Sequence, residues 1–210
     1  MTNHVPNTTV QRLPVYLRCL VQEQSLRVPV ANSVRIAEMA GTNAAQVRKD
    51  LSYLGEYGIR GIGYDVDGLV KHLTRWLGLE HVRKAAIVGY GRLGSALLGY
   101  GGFQDRGFSL AAVFDVDPEK IGVAAGSGLV VESLADFAAA VDRDALEIVV
   151  LTVPASVAQA VTDTVVAAGV KAILNFAPTK LHVPADVAVR QADVAAELQI
   201  LSFHLSSGGE

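Results

Sequence analysis

Apolar residues follow a helical period through the first third of this chain, then alternate between helical and strand-like runs. From Val10 they recur at Leu13, Leu17, Leu20 and Val21, the spacing of a helix that runs through Glu23, with Pro14 in its first turns. Residues 1–9 are polar and read as a disordered start. Asn32-Ser33 offers an N-cap for a short helix over Val34–Ala40, and Gly41 stops it. Thr42-Asn43 is a second cap, for a helix over Ala44–Leu54 whose apolar stripe is Val47, Leu51 and Leu54. Between Gly55 and Tyr64 four glycines are interspersed with β-branched and aromatic residues, which predicts a small hairpin with Arg60 at its tip. A helical stretch from Leu69 to Leu77 follows.

The pattern then changes. The run Arg83–Val88 predicts a strand, Ser95–Leu98 continues as helix, and Leu110–Phe114 predicts a second strand. Asp117-Pro118-Glu119-Lys120 reads as a turn, Leu134–Val141 as helix, Leu146–Leu151 as a buried strand, Val157–Ala168 as helix and Lys171–Leu174 as a further strand. Alternation of this kind implies an α/β fold, a doubly wound parallel sheet of Rossmann type with helices on both faces. The last stretch, Val187 to Leu205, is predicted as one helix. Its apolar positions Val189, Val194, Leu198, Leu201 and Leu205 have no further strand to cover, so a partner subunit is the expected cover. Three regions result: residues 1–80, 81–186 and 187–210.

Two of these regions carry recognisable chemistry. A short helix, a glycine turn and a second helix with a polar face, followed by a hairpin, make a winged helix-turn-helix. Ser33, Gln46, Arg48, Lys49, Ser52 and Tyr53 supply donors for phosphates and base edges, and Arg60 on the wing suits a narrow minor groove. A solvated helix face is the alternative for Arg48, Lys49 and Arg60. In the second region the strand ends in Gly89-Tyr90-Gly91-Arg92-Leu93-Gly94, a Gly-x-G-x-x-Gly turn. Its first glycine turns the chain, its second lets backbone approach a pyrophosphate, and its third lets helix and strand pack closely. Asp115 ends the next strand, where an acidic group accepts hydrogen bonds from an adenosine ribose. A carboxylate with no Arg directly after it favours NADH/NAD+ over the phosphorylated cofactor. Thr152-Val153-Pro154 and Asn175-Phe176-Ala177-Pro178, at the ends of later strands, are candidate walls of the same site; simple turns are the alternative.

Charge supports this division. Residues 1–84 hold 11 Lys/Arg against 7 Asp/Glu and the remainder 7 against 14, so the first region is the one suited to a polyanion, unless this is ordinary scatter. No apolar run approaches the ~20 residues of a membrane helix and the N-terminus has no secretory pattern, so a cytoplasmic protein is expected. The single Cys19, at an apolar position, reads as a small buried hydrophobe. Metal chemistry and catalysis lack support. There is no His-Glu-x-x-His, no Cys pair and no Tyr-x-x-x-Lys, and the five histidines are scattered. A sensor is therefore favoured over the alternative, a small NAD-dependent oxidoreductase with an N-terminal oligomerisation domain.

The segments Gln46–Ser52, Gly61-Ile62-Gly63-Tyr64, Gly89–Gly94, Phe114–Pro118 and Leu174–Pro178 closely resemble the Rex family of redox-sensing repressors, over nearly the full chain. The resemblance implies a homodimer that binds a palindromic double-stranded operator and is released by NADH, with the C-terminal helix exchanged between subunits. It also implies that Arg92 lies near the pyrophosphate and Asp115 holds the adenosine ribose. Tyr100 and Asp193 become the pair whose contact changes with ligand, and Arg18 the alternative partner of Asp193 in the DNA-bound form. Val194 departs from the pattern, being aliphatic where some relatives carry an aromatic.

Overall fold

A computed structural model of the chain describes residues 5–55, 58–59 and 61–207. The chain divides into two units, Met1–His81 and Val82–Glu210. The first consists of α1 (Asn7–Ser25), β1 (Val30–Ala31), α2 (Ser33–Ala40), α3 (Ala44–Ser52), β2 (Gly58–Ile59), β3 (Gly63–Asp65) and α4 (Val66–Trp76). Leu13, Tyr16 and Leu20 form the inward stripe of α1 and pack on Ile36, Val47, Leu51, Leu69 and Leu73. The hairpin β2–β3 is antiparallel, and β1, which the hydrophobic pattern did not reveal, pairs with β3 as a third strand. Two residues are too few for a period.

Helix α1 begins earlier than its apolar spacing indicates. The Pro6 carbonyl accepts from Thr9 and Val10, and buried Thr9 is anchored to Asp50 on α3, so polar residues expected to be disordered continue the helix. Pro14 consequently stands inside the helix rather than in its opening turns.

The second unit contains β4 (Arg83–Val88), α5 (Arg92–Leu98), a 3-10 turn (Gly101–Arg106), β5 (Phe108–Asp115), β6 (Ala124–Gly126) and β7 (Leu129–Ser133). It continues through α6 (Phe137–Asp144), β8 (Ile148–Leu151), α7 (Ala155–Ala167), β9 (Ala172–Asn175), β10 (Ala188–Gln191) and α8 (Val194–Ser207). The seven strands lie in the order β10-β9-β8-β4-β5-β7-β6, all parallel except β6, which runs antiparallel to β7. Successive residues of β4 point to opposite faces. Ala86 and Val88 pack with Phe137 of α6 and Ala158 and Val165 of α7, whereas Ile87 packs with Leu98 of α5. The sheet is thus covered on both sides, as the alternating pattern predicted.

One expectation is corrected. Val187–Leu205 is not a single helix: Ala188–Gln191 is a strand, paired in parallel with β9 from Ala188↔Ala172 to Gln191↔Asn175. The helix starts only at Val194, with Asp193 accepting from the Ala196 amide at 3.0 Å. An edge strand of four residues, only partly apolar, is indistinguishable by period from the start of the helix behind it.

Candidate functional site

The sheet order fixes where a ligand can sit. From β4 the chain builds outward through β5 to β7, then returns to the other side of β4 as β8. The loops after β4 and β8 therefore part at the switch point of the sheet, the usual ligand crevice of open α/β sheets. The glycine loop lies there. Gly89 has φ +102°, and a Cβ on it would come within 2.8 Å of the Thr152 carbonyl oxygen and of Val153. Thr152 Oγ1 donates to the Gly89 carbonyl at 2.7 Å, clasping the two loops together. A Cβ on Gly94 would lie 2.2 Å from the Gly89 oxygen, so only glycine lets α5 approach β4 this closely. Gly91 is different: no protein atom lies within 4 Å of its Cβ position. Its bare side faces open space that a ligand can use.

Asp115 is buried beside this loop and accepts four hydrogen bonds. Oδ1 takes the amides of Val116 (2.8 Å) and Asp117 (2.9 Å); Oδ2 takes the amide of Tyr90 (2.7 Å) and the Lys120 ammonium (3.0 Å). Burial alone would raise this carboxyl, but the Asp117 and Tyr90 amides and Lys120 outweigh it and hold it below the usual carboxylate range. Four bonds fill the acceptor capacity of a carboxylate. Among the described residues the half-exposed Lys120 is its one side-chain partner, so a ligand hydroxyl could reach Oδ2 only by sharing with or displacing that ammonium. In the sequence Lys120 reads only as part of a turn, because the residue directly after Asp115, not the one five positions on, bears on the choice of cofactor. A cation five residues on, across an Asp-Pro turn, was the available signal.

A cleft of about 810 Å³ runs from the glycine loop along α7, within the size range of small-molecule sites. It gathers Gly89, Gly91, Asp115, Thr152, Val153 and Pro154 of the expected residues. Asn175, Phe176, Ala177 and Pro178 do not line it. Phe176, Ala177 and Pro178 follow β9, one strand further out, and Asn175, which ends that strand, is fully buried. Its amide donates to the Thr179 carbonyl and Gln191, while its Oδ1 accepts from Ala177. The loop's polar groups are spent on one another and on β10. Tyr90 turns its hydroxyl to the Ala125 carbonyl, and Arg92 and Leu93 are exposed on the first turn of α5. Tyr100 is half-exposed, edge-on to Phe103, beside a separate depression of about 110 Å³.

In the N-terminal unit the expected caps form: Asn32 Oδ1 accepts from the Arg35 amide at 2.9 Å and Asn43 Oδ1 from the Gln46 amide at 2.8 Å. Gly41, at φ +66°, makes the turn between α2 and α3. Arg48, Lys49 and Ser52 are exposed on α3, with Tyr53 half-buried just beyond its end; Arg48 donates to Ser33 Oγ at 2.9 Å. Ser33, Arg48 and the hairpin glycines border a concavity of about 500 Å³. Arg60 lies outside the described residues. Arg18 is exposed on α1, and Cys19 is buried, its thiol pushed up chiefly by that burial.

Asp50 was quoted in the sequence but assigned no role. Its position three residues after Val47 places it on the inward stripe of α3, where it is fully buried. It accepts from Thr9, Tyr16 and Gln46 and from Nε and Nη2 of the Arg12 guanidinium, at 2.6–2.9 Å. Burial would raise this carboxyl, but those bonds, led by Arg12, hold it at about 2 against an ordinary 3.8. A depressed carboxyl stabilises the fold above its unfolded value, and the contribution is lost as pH falls through the folded one. The shift corresponds to about 2 kcal/mol. We expect the urea midpoint of the N-terminal unit to fall between pH 4 and 2 more steeply in the parent than in Asp50→Asn. Parallel pH dependences would contradict the assignment.

A winged helix-turn-helix followed by a Rossmann-type unit with a glycine-loop cleft defines the class: a nucleic-acid-binding regulator with a built-in dinucleotide site. Comparison with known proteins agrees. Residues 4–52 match the family model of a DNA-binding protein N-terminus, and residues 81–179 that of a CoA binding domain. The redox-sensing transcriptional repressor Rex of Streptomyces griseus subsp. griseus is 49% identical over 95% of this chain and 79% of its own length. The structure of RSP in complex with β-NAD+ and operator DNA superposes with a TM-score of 0.90, at 33% identity over 97% of this chain and 94% of that one. RSP with β-NADH gives 0.87, at 32% identity over 98% and 96%. The chain belongs to the Rex family of redox-sensing transcriptional repressors. That membership supports the sensor reading over the oxidoreductase.

Proposed function

We propose that this protein is a cytoplasmic transcriptional repressor that binds a palindromic operator as a homodimer and leaves it when NADH occupies the cleft. The observation that carries this reading is the union on one chain of an exposed Arg48/Lys49 face and a cleft built on Gly89, Gly91 and Asp115. The Gly91 opening fits a pyrophosphate, since it leaves room where any side chain would stand. Amides of the glycine loop hold the phosphates there, with Arg92 nearby, and the Asp115–Lys120 pair meets the adenosine ribose. The ligand supplies the difference between a neutral and a cationic nicotinamide, and closing apolar surface over the ring favours the neutral form.

The rest of the switch is assigned through the family. Tyr100 and Asp193 report closure, and Arg18 holds Asp193 in the DNA-bound form. Val194, Leu198, Leu201 and Leu205 of α8 are exposed, an apolar surface suited to a second copy of the chain. Among the described residues no helix is long and apolar enough to cross a membrane.

Binding linkage gives the test. NADH releases DNA only by preferring the DNA-incompetent state, so operator duplex must weaken NADH binding by the same factor. Equal NADH affinities with and without operator would overturn the sensor. For the interface, Lys49→Ala is expected to weaken operator binding and to reduce the log–log salt slope by about one unit. Arg60→Ala is expected to weaken it too, with NADH affinity intact in both; a variant that binds like the parent removes its residue from the interface.

A further inference from the structure

We propose that Asp50 is a positioning residue for base reading, holding the side-chain amide of Gln46 in one orientation at the start of the recognition helix. This inference rests on the operator-binding reading. Gln46 is the third residue of α3, in the part of a recognition helix that contacts base edges. It is half-buried, and its Nε2 donates to Asp50 Oδ1 at 2.9 Å, one helical turn away. A glutamine reads adenine by accepting from N6 and donating to N7, which requires one amide N–H and the carbonyl oxygen. The other N–H remains for the protein, and here a buried carboxylate takes it. A carboxylate can only accept, so it selects the nitrogen and turns it inward, which fixes the side on which Oε1 is presented.

The anchor itself is rigid. Thr9, Arg12 and Tyr16 lie on one face of α1 and all donate to Asp50, the Arg12 fork engaging both oxygens at 2.6 and 2.8 Å. The carboxylate cannot rotate without breaking bonds to α1, so the Gln46 amide inherits the register of α1 against α3. Ordering the amide before binding removes an entropic cost that a freely rotating glutamine bears on the DNA.

The test is a set of operator duplexes, each with one base pair changed, titrated against parent, Gln46→Ala, Asp50→Asn and the double variant. Gln46→Ala is expected to lose discrimination at one base pair of each half-site, by roughly 5- to 150-fold. Asp50→Asn should lose it at the same base pair, the double variant should lose no more than either single one, and the salt slope should stay unchanged. Uniform loss at every position, or additive losses, would make Asp50 merely structural and overturn the proposal. A parent that discriminates among no duplexes would instead overturn the operator reading on which it rests. Because Asp50→Asn can unfold the unit, the parent also supplies a direct readout. Side-chain amide NMR of free Gln46 should give one downfield, slowly exchanging N–H and one ordinary one, and two averaged, fast-exchanging protons would refute the anchor.

Discussion

Gly94→Ala is expected to weaken dinucleotide binding severely while leaving the winged unit folded. The added methyl would lie 2.2 Å from the Gly89 carbonyl oxygen, a backbone atom that cannot swing aside. Helix α5 must therefore move away from β4 by about an ångström, carrying the loop amides with it. Overpacking of this kind costs about 1–3 kcal/mol and occasionally more, so an affinity loss on the order of 100-fold follows if the strain falls on the bound geometry. Gly91→Ala supplies the contrast. Its methyl meets no atom beyond its own chain neighbours among the described residues, so thermal stability should be unchanged while NADH affinity falls, because the proposed ligand position includes the space it fills. Fluorescence titration with NADH and thermal melts of both variants separate the two cases. A Gly94→Ala protein with parental affinity, or a Gly91→Ala protein destabilised as much as Gly94→Ala, would show that these glycines do not divide packing and access between them.

Asp115→Ala is expected to give a repressor that binds operator normally and ignores NADH. The carboxylate ties the Tyr90 amide of the glycine loop to the turn after β5, so its removal loosens both sides of the proposed ribose position at once. Hydrogen bonds to a charged group contribute about 1.5–3 kcal/mol, a drop of roughly 10- to 150-fold in NADH affinity. Lys120→Ala should act more mildly, because the three amide donors stay in place and a ribose hydroxyl can take the vacated position on Oδ2. Release of operator at the parental NADH concentration by Asp115→Ala would remove this residue from the ligand site.

The sequence made the scaffold of both units readable because each element's period was long enough to register. Helices α1 to α4 and the strands flanking the glycine loop all carry three or more apolar positions at one spacing. The strands that escaped notice, β1, β6, β7 and β10, are two to five residues long and half-solvated, too short for a period to develop. Site residues divide by a different rule. The glycines are legible because a backbone requirement dictates their identity, and Asp115 because a carboxylate ends the strand that follows them. Asn175–Pro178 stand apart from the cleft because they belong to the end of β9, and only the order of strands reveals that β8, not β9, neighbours β4. Lys120 and Asp50 are harder to read because their partners lie on the far side of a turn or on another helix, and the spacing of apolar positions does not name such partners.

Cys19 bears on the kind of signal this chain can record. It is the chain's one thiol, and α1 seals it at 5% exposure with its thiolate disfavoured. Peroxides and alkylating agents attack thiolates within reach of solvent, so this sulfur is a poor target for either. With its one thiol shielded, this regulator keeps no thiol-based record of oxidant exposure. Its response follows the momentary balance of two interconvertible nucleotides, resets as fast as they dissociate, and needs no reductase to restore it.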